Sequence, residues 1–427
     1  MQPNTSGYDA ISGGMDVTSA NSSNNRLEAS PRRLVAPVAR RVLTAGLALA
    51  LGAGSIFMTG CGTSSTQAAT TEAATTQAAT TRIVKDSDGN DVEIPAEVTK
   101  VAPTIGAFAQ ITEMLTNGNG KMVATSTKQI SDDFKAVFTD YEQTNPNGYD
   151  TGSVEDIIAS GAQVVYGPKA AFSDEQIGQL GDAGIAFVNI NKMGTPDQLC
   201  DCIQTIGDIL GDEESERATE YVQYYKDAIK NAEDRASKVP ESERANGLVM
   251  SVEGDAYMVS PGSDISSSLF TSAGLTNLAA DYTADQTSGN GSMLQVSAEQ
   301  IVDWNPQWIV AYSQQAADTI KSDEALAGVD AVKNDHVLVC PKALYLWAVR
   351  SGEGCLMPEW LGSVVYPDQY SDFDMTSTLQ DFYRDWYGSD LSADDAEAIL
   401  SGATNATASA PGRGGQGGGQ GGGQGGK

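Results

Sequence analysis

The sequence predicts an α/β protein: two Rossmann-like α/β lobes joined by a single long backbone helix, with a ligand cleft between the lobes. Three observations predict it. The first is a rod. Residues 214–238 carry apolar side chains at 218, 221, 222, 225, 228, 229, 232 and 236, a stripe of period 3.6, and Pro240 ends it. About 24 helical residues reach roughly 36 Å, enough to cross two lobes. The second is alternation of short apolar runs with helical segments on both sides of the rod, the pattern of mostly parallel sheets. The third is an internal repeat. SVEDIIASGAQVVY at 153–166 aligns with SAEQIVDWNPQWIV at 297–310, matching Ser153 to Ser297, Glu155 to Glu299, Ile157 to Ile301, Gln163 to Gln307 and Val165 to Ile309. Two ordinary helix starts would share some of these residues. Identities at one offset point further, to a pseudo-twofold pair of lobes.

In the first lobe the apolar runs predict strands near 100–102, 122–125, 163–166 and 186–190, with helices at 106–115, 154–159 and 173–183 between them. In the second lobe strands are expected near 247–252, 308–312 and 336–340. Ligands of such sheets sit beyond the carboxyl ends of the strands, and two facing lobes enclose a cleft.

The ends of the chain read differently. Residues 1–41 are polar and close on Arg32, Arg33, Arg40 and Arg41; an apolar or small-residue run, VLTAGLALALGAGSIFMTG, follows at 42–60. This is the pattern of a secretory signal peptide. The break MTGC, ending in Cys61, resembles the bacterial lipobox, so Cys61 is expected to carry lipid after cleavage. An uncleaved membrane helix is the alternative, and the Gly-rich end of the run argues against it. The long polar stretch before the run departs from the usual pattern and suits a translation start after Met1. Residues 61–81 are a Thr/Ala-rich tether without bulky apolar side chains. The expected divisions are then a first lobe at 82–213, an interlobe helix at 214–240, a second lobe at 241–390 and a disordered Gly/Gln-rich tail at 391–427.

Composition excludes several functions. The chain has 427 residues with 26 Lys+Arg against 56 Asp+Glu, a net charge of −30. Phosphate backbones repel so acidic a surface. The one histidine, His336, is too few for a usual zinc centre and a weak basis for a Ser-His-Asp triad. GxSxG, HExxH and P-loop motifs are missing from the sequence, and GxGxxG spacing occurs only within the low-complexity Gly/Gln-rich tail, where it follows no strand. The residues point to a protein that binds rather than transforms.

Three further segments carry a family resemblance: RIVKDSDGNDVEIPAEVTKVA at 82–102, HVLVCPKALYLWAVRSGEGCLMPEWLGSVVYPDQYSDFD at 336–374 and FYRDWYG at 382–388. With the repeated helix-and-strand segments, they resemble the substrate-binding lipoproteins of ABC importers for iron–siderophore complexes, haem and cobalamin. The resemblance covers nearly all of 82–388. It implies two α/β lobes on one rod. It also implies a monomer anchored by lipid to the outer face of the bacterial cytoplasmic membrane. Such a protein hands its ligand to a permease dimer whose ATPase subunits do the chemical work. No catalytic residue and no cofactor is implied. The implied ligand is a ferric siderophore or haem, with cobalamin the close rival. A non-transport adhesin or sensor of the same fold, or a lipid-anchored two-lobed enzyme, stands as the other class.

The resemblance also implies residue roles. Glu155 and Glu299 would dock into Arg pockets on the permease; helix-start acids favoured by the dipole are the plainer reading. Tyr149 and Met293, six residues before each Glu, would face the cleft, though a turn tyrosine and a packed methionine fit as well. Trp347 and Arg350 in W-A-V-R would sit at the cleft rim, the guanidinium suiting an anionic ligand, unless Arg350 pairs with Glu353. Tyr257 and Tyr312, and Thr104 and Thr127 in the first lobe, follow strands and are further candidates. His336 is expected in a turn away from the cleft. Cys200 and Cys202 point to different helix faces and should not bridge. Cys340 and Cys355 either form a disulfide or stay buried thiols. No residue is assigned to a metal.

Overall fold

The computed structural model describes residues 80–288 and 292–403. The expectations for the signal, Cys61, most of the tether and the end of the tail lie outside them.

An antiparallel hairpin, β1 (Thr81–Lys85) and β2 (Asp91–Pro95), opens the described chain. Its turn is held by Asp86, whose Oδ1 accepts the N–H groups of Asp88 and Asn90 at 2.9 and 2.8 Å. Then follow β3 (Val101–Pro103), α1 (Gly106–Thr116), α2 (Asp132–Val137), α3 (Tyr141–Thr144), α4 (Val154–Ser160), β4 (Val164–Gly167), α5 (Asp174–Asp182), β5 (Ala186–Asn189) and α6 (Pro196–Leu210). The three strands form a parallel sheet in the order β3-β4-β5. The strand expected at 122–125 does not form. Met122 bridges to Val101 and Thr125 already bridges to Asp150, so the segment changes partner before a ladder can build.

The rod is α7, Asp212–Ala236, 25 residues long. Only Gly211 separates it from α6, at φ 146. The two helices close tightly at Gly207, where a methyl group would stand 2.5 Å from Ala218 Cβ. Beyond the rod come β6 (Asn246–Glu253), β7 (Ala256–Val259), α8 (Ile265–Ser272), β8 (Thr276–Asn277), β9 (Leu294–Val296), α9 (Ala298–Trp304), β10 (Trp308–Ala311), α10 (Gln314–Ser322), α11 (Asp330–Lys333) and β11 (Val337–Val339). The sheet order is β11-β10-β6-β7-β9, with β8 on β6. Strands β11, β10, β6 and β8 are parallel, and β7 pairs antiparallel with both β6 and β9, so the second sheet is mixed. The closing helices are α12 (Leu356–Val365), α13 (Met375–Phe382) and α14 (Ala393–Leu400), with a π-helical segment at Tyr383–Tyr387. The last helix corrects the sequence expectation of a tail from 391. Ser392 caps it by accepting the Asp395 N–H, and Ala396 and Ile399 are buried.

Each lobe has its own core, and a third, larger core runs along the rod. Tyr221 and Tyr225 of α7 are fully buried there, beside α1, α6, α12 and the π-helical segment. The Tyr221 hydroxyl donates to the Gly352 carbonyl, and its ring lies 4.5 Å edge-on from that of Trp386. Arg217 reaches from α7 to the Met114 carbonyl of α1 (2.9 Å) and to the Trp386 carbonyl (3.1 Å). All four described cysteines are free, buried thiols, so Cys340 and Cys355 do not form a disulfide.

At the junction sits Glu353, 0% exposed. Its Oε1 accepts from Gln110 Nε2 (3.0 Å), the Leu344 N–H (2.9 Å) and the Tyr387 hydroxyl (2.5 Å). Its Oε2 accepts from the Tyr345 N–H (3.3 Å) and Trp347 Nε1 (2.9 Å). Gln110 answers from α1 by accepting the Gly352 N–H at 3.0 Å. One carboxylate thus joins the first lobe, the loop after β11 and the C-terminal segment. Burial nevertheless pushes its pKa up to about 7, against the hydrogen bonds that favour the anion. The sign follows. The folded state holds the proton more tightly than the unfolded chain, so between pH 4.5 and 7 stability falls as pH rises, by roughly 3 kcal/mol from this group. Glu353→Gln should remove that part of the slope. Urea unfolding of both proteins at several pH values measures it, and parallel profiles would refute the assignment.

Candidate functional site

The carboxyl ends of the strands place the site. In the second lobe β10 delivers Tyr312 and β11 delivers the loop from Cys340 onward. In the first lobe β3 leads through Thr104 to the N-terminus of α1, and the 3-10 turn Thr127–Gln129 lies beside it. Between them is a cavity of about 530 Å³. Lys128, Gln129, Ile130 and Ser131 line it from the first lobe, and Tyr312, Lys342 and Tyr345 are among its walls from the second. A smaller chamber of about 90 Å³ shares Tyr312, Tyr345 and Val349 and adds Asp264 and Arg350. The volume suits a small organic ligand or metal chelate.

Tyr345 touches both lobes. A methyl group on Gly106 would stand 3.1 Å from its ring, and the Gly106 N–H donates to Gln129 Oε1. The α1 N-terminus is therefore covered by Gln129 and Tyr345 together, since its N-cap Ile105 offers no side-chain acceptor. Burial raises the Tyr345 hydroxyl; Arg350 and the backbone of Ala107 pull it back. Burial likewise holds Tyr312 well above the usual tyrosine range, with Asp264 adding to the rise. Its hydroxyl lies 2.7 Å from Ser266 Oγ. Asp264, the N-cap of α8, is engaged: its Oδ1 accepts from Ser260, the Ser266 N–H and the Ser266 hydroxyl.

Three cations remain. Lys128, Lys342 and Arg350 form no close ion pair among the described residues, though Lys128 acts on Asp150 and Lys342 on Asp133 at longer range. In a chain with 56 acidic residues, these cations give the cleft a local concentration of positive charge. Glu353, the alternative partner for Arg350, is occupied in the buried network. A groove of equal volume, about 530 Å³, runs along α6, α7 and α8. No strand ends there, and its Lys230 is paired with Asp234 at 2.7 Å.

Of the sequence candidates, Tyr312 and Arg350 come together here. Thr127 flanks the cavity, its hydroxyl donating to Asp150 Oδ2 at 2.5 Å. Thr104 is buried, its Oγ1 without a partner, packed toward Gly167 where no side chain could fit. Trp347 is not at the rim: it is 0% exposed and its indole N–H serves Glu353. Tyr257 turns away, donating to Asp323 beyond α10 at 2.5 Å. Met293 is buried at 2% and Tyr149 packs on the first-lobe core, and neither lines these two cavities. His336 lies at the opposite end of β11, its ring stacked on Trp308 at 3.9 Å. Glu155 and Glu299 are exposed in the first turns of α4 and α9, behind the caps Ser153 and Ser297. Sequence reasoning missed Tyr345, Lys342, Lys128 and Gln129. Tyr345 lies two residues before the tryptophan chosen in its place, and the turn between Pro341 and Trp347 put the wrong aromatic inside. Lys128 was legible only as a cation after a strand end.

Two α/β lobes on one rod, with a cleft at their strand ends, are the architecture of a solute-binding protein. A family model described as "Periplasmic binding protein" matches residues 104–344, and the chain belongs to that family. It is the substrate-binding component of an ABC transporter and not an enzyme. The chain is 25% identical over 332 residues to the uncharacterized ABC transporter substrate-binding lipoprotein YvrC of Bacillus subtilis, covering 77% of this chain and 99% of that one. It is 28% identical over 105 residues to the molybdate-binding protein MolA of Haemophilus influenzae, covering 24% of this chain and 30% of that protein. A periplasmic solute-binding protein of Veillonella parvula superposes with a TM-score of 0.60 at 22% identity, covering 75% of this chain and 96% of the other. Molybdate-bound MolA gives 0.59 at 20%, covering 73% and 99%. Among the described residues no helix is long and apolar enough to cross a membrane.

The two halves of W-A-V-R should separate in an unfolding titration. Arg350→Ala, removing an unpaired side chain, is expected to change stability by less than about 0.5 kcal/mol. Trp347→Ala should cost about 4 kcal/mol through the cavity it leaves. Equal losses would place Arg350 in the structural frame instead.

Proposed function

We propose that the protein captures an anionic metal chelate, a ferric siderophore or haem, in the cleft between the lobes and delivers it to an ABC permease. The observation that carries this reading is the set of unpaired cations, Lys128, Lys342 and Arg350, beside Tyr312 and Tyr345. Arg350 would make a bidentate contact with a carboxylate, and the tyrosine rings would pack on the ligand's flat faces. A cavity of about 530 Å³ is large for a bare oxyanion and suits a chelate better. Molybdate is the second reading, favoured by the likeness to MolA. Cobalamin would make less use of the cations.

Cys61 would carry the lipid anchor, in keeping with the lipoprotein name of the YvrC relative. Glu155 and Glu299 would meet cationic pockets on the permease. They stand exposed at equivalent helix starts of the two lobes, each beside the serine that caps its helix.

Titration of the full chain with haem, several ferric siderophores, cobalamin, molybdate and free metals, followed by tryptophan fluorescence and visible absorbance, tests the ligand. Saturable binding of one iron chelate is expected. Arg350→Ala should weaken it by roughly tenfold or more, as the loss of a charge-assisted contact implies. Binding of molybdate alone would select the second reading; binding of none would overturn both. The docking reading makes a separate forecast. Glu155→Lys with Glu299→Lys should leave ligand affinity unchanged and abolish stimulation of the permease-coupled ATPase. Full stimulation by the double variant would remove these residues from docking.

A further inference from the structure

Four large apolar side chains stand exposed among the described residues: Ile83, Ile158, Val302 and Val364. A lone exposed aliphatic side chain needs no explanation. Two of these four, however, occupy one position of the internal repeat. Ile158 of α4 and Val302 of α9 each follow the repeat's glutamate by three residues, and they are 41% and 43% exposed. The two helices are set into their lobes alike. Ser153 caps α4 by accepting the Asp156 N–H at 3.1 Å, and Ser297 caps α9 by accepting the Gln300 N–H at 3.2 Å. Ile157 and Ile301 are wholly buried beneath them. Both helices end on a left-handed residue, Gly161 at φ 71 and Asn305 at φ 46. Gln163 then accepts the Lys100 N–H at 3.0 Å, at the entry to β3, and Gln307 accepts the Asn246 N–H at 3.0 Å, at the entry to β6. β4 and β10 pair parallel with those same strands. Each lobe therefore presents the outer face of its repeated helix in the same way.

Helix propensity does not select these aliphatics. β-Branched residues are weaker helix formers than the straight polar side chains that suit a water-facing position. Nor does the whole outer face repeat. Asp156 stands against Gln300, and Ala159 against Asp303. What recurs is a glutamate with an aliphatic residue three positions on, neighbours on one helix face. In a chain of net charge −30 acids are abundant, so an acid by itself marks a docking register poorly. An apolar side chain beside it adds a short-range contact that gains only when it is buried against a matching surface.

We propose that Ile158 and Val302 are the apolar halves of two equivalent docking patches, each completed by its glutamate. The occupant is a twofold permease dimer that offers, on each half, a cation beside an apolar hollow. Two like patches call for two like sites, which a dimer supplies. The proposal rests on the docking reading of Glu155 and Glu299 and adds a division of labour to it. The acids steer and orient the encounter, and the aliphatic side chains hold it through buried area. Neither Ile158 nor Val302 lines the cleft cavities, so the patches are separable from ligand binding.

The test is binding of the full chain to the permease–ATPase complex in nanodiscs, at low and high salt. Ile158→Gln with Val302→Gln should weaken binding by about tenfold and keep the wild-type salt dependence. Each single change should cost about threefold. Glutamine is a good helix former at an exposed position, so melting temperature and ligand affinity should stay at wild-type values. Alanine at both positions should weaken binding in the same direction, which separates lost contact from an added polar group. Glu155→Gln with Glu299→Gln should also weaken binding, but flatten its salt dependence. Loss by the acid variant alone would overturn this proposal and leave the docking reading standing. Wild-type binding by both double variants would overturn both. Loss by the apolar variant alone would uphold the apolar contact and remove the acids from it. A loss confined to one lobe would overturn the match to a dimer. Self-association of the chain alone, abolished by the apolar double variant, would give the patches to a second copy and overturn the proposal.

Discussion

The structure turns on a carboxylate that water never reaches. Glu353 collects donors from the backbone of residues 344 and 345, from Trp347 and Tyr387, and from Gln110 on α1. Without it, the loop from β11 to α12 would lose the partner for several buried N–H groups at once. With it, that loop is fixed against the first lobe at one end and the C-terminal segment at the other. Tyr345, Val349 and Arg350 ride on this loop. The geometry of the cleft thus follows from a buried network that holds two of the cavity's own wall residues, Leu344 and Tyr345, by their backbone. The rod reinforces the same point, since Tyr221 of α7 donates to Gly352, one residue before the acid.

This arrangement divides polar residues into two kinds. Those that hold the fold are satisfied: Glu353, Gln110, Trp347, and the Arg217 guanidinium against backbone carbonyls. Those facing the cleft are left open. Pairing Lys128, Lys342 and Arg350 with acids would have been easy in a chain of −30, and would have gained little at the surface. Leaving them unpaired keeps a positive region inside a negative envelope. The surrounding charge repels anions at long range, and screening confines that repulsion to about a Debye length. Selection at the cleft therefore depends on contact.

The architecture was readable because periodicity reports burial directly. The stripe at 218–236 became α7, and the repeat at 153–166 and 297–310 became α4 with β4 and α9 with β10. What escaped was decided by local geometry. The run at 122–125 is as apolar as a strand but changes partner at Thr125. The Gly/Gln-rich end made everything from 391 read as tail, yet Ala396 and Ile399 give its first part a buried helical face. The site was harder. Trp347 and Tyr345 differ by two positions, and sequence cannot say which aromatic a tight, non-repeating loop turns inward. Hydrogen-bond demand decided it. The indole N–H could reach Glu353, while the Tyr345 hydroxyl found the end of α1.

The rod then sets how the lobes can work. α6 and α7 pack along their length through Gly207 and Ala218, and α12 packs on α7 from the other lobe. Both lobes are therefore fastened to one stiff element over several turns of helix rather than strung on flexible strands. Large relative rotation would tear the aromatic packing of Tyr221, Tyr224, Phe382 and Trp386, a cost of many contacts at once. Small changes remain available at the cleft surface, where Tyr345 and Gln129 cover the N-terminus of α1. Packing of this extent makes the opening between the lobes nearly fixed.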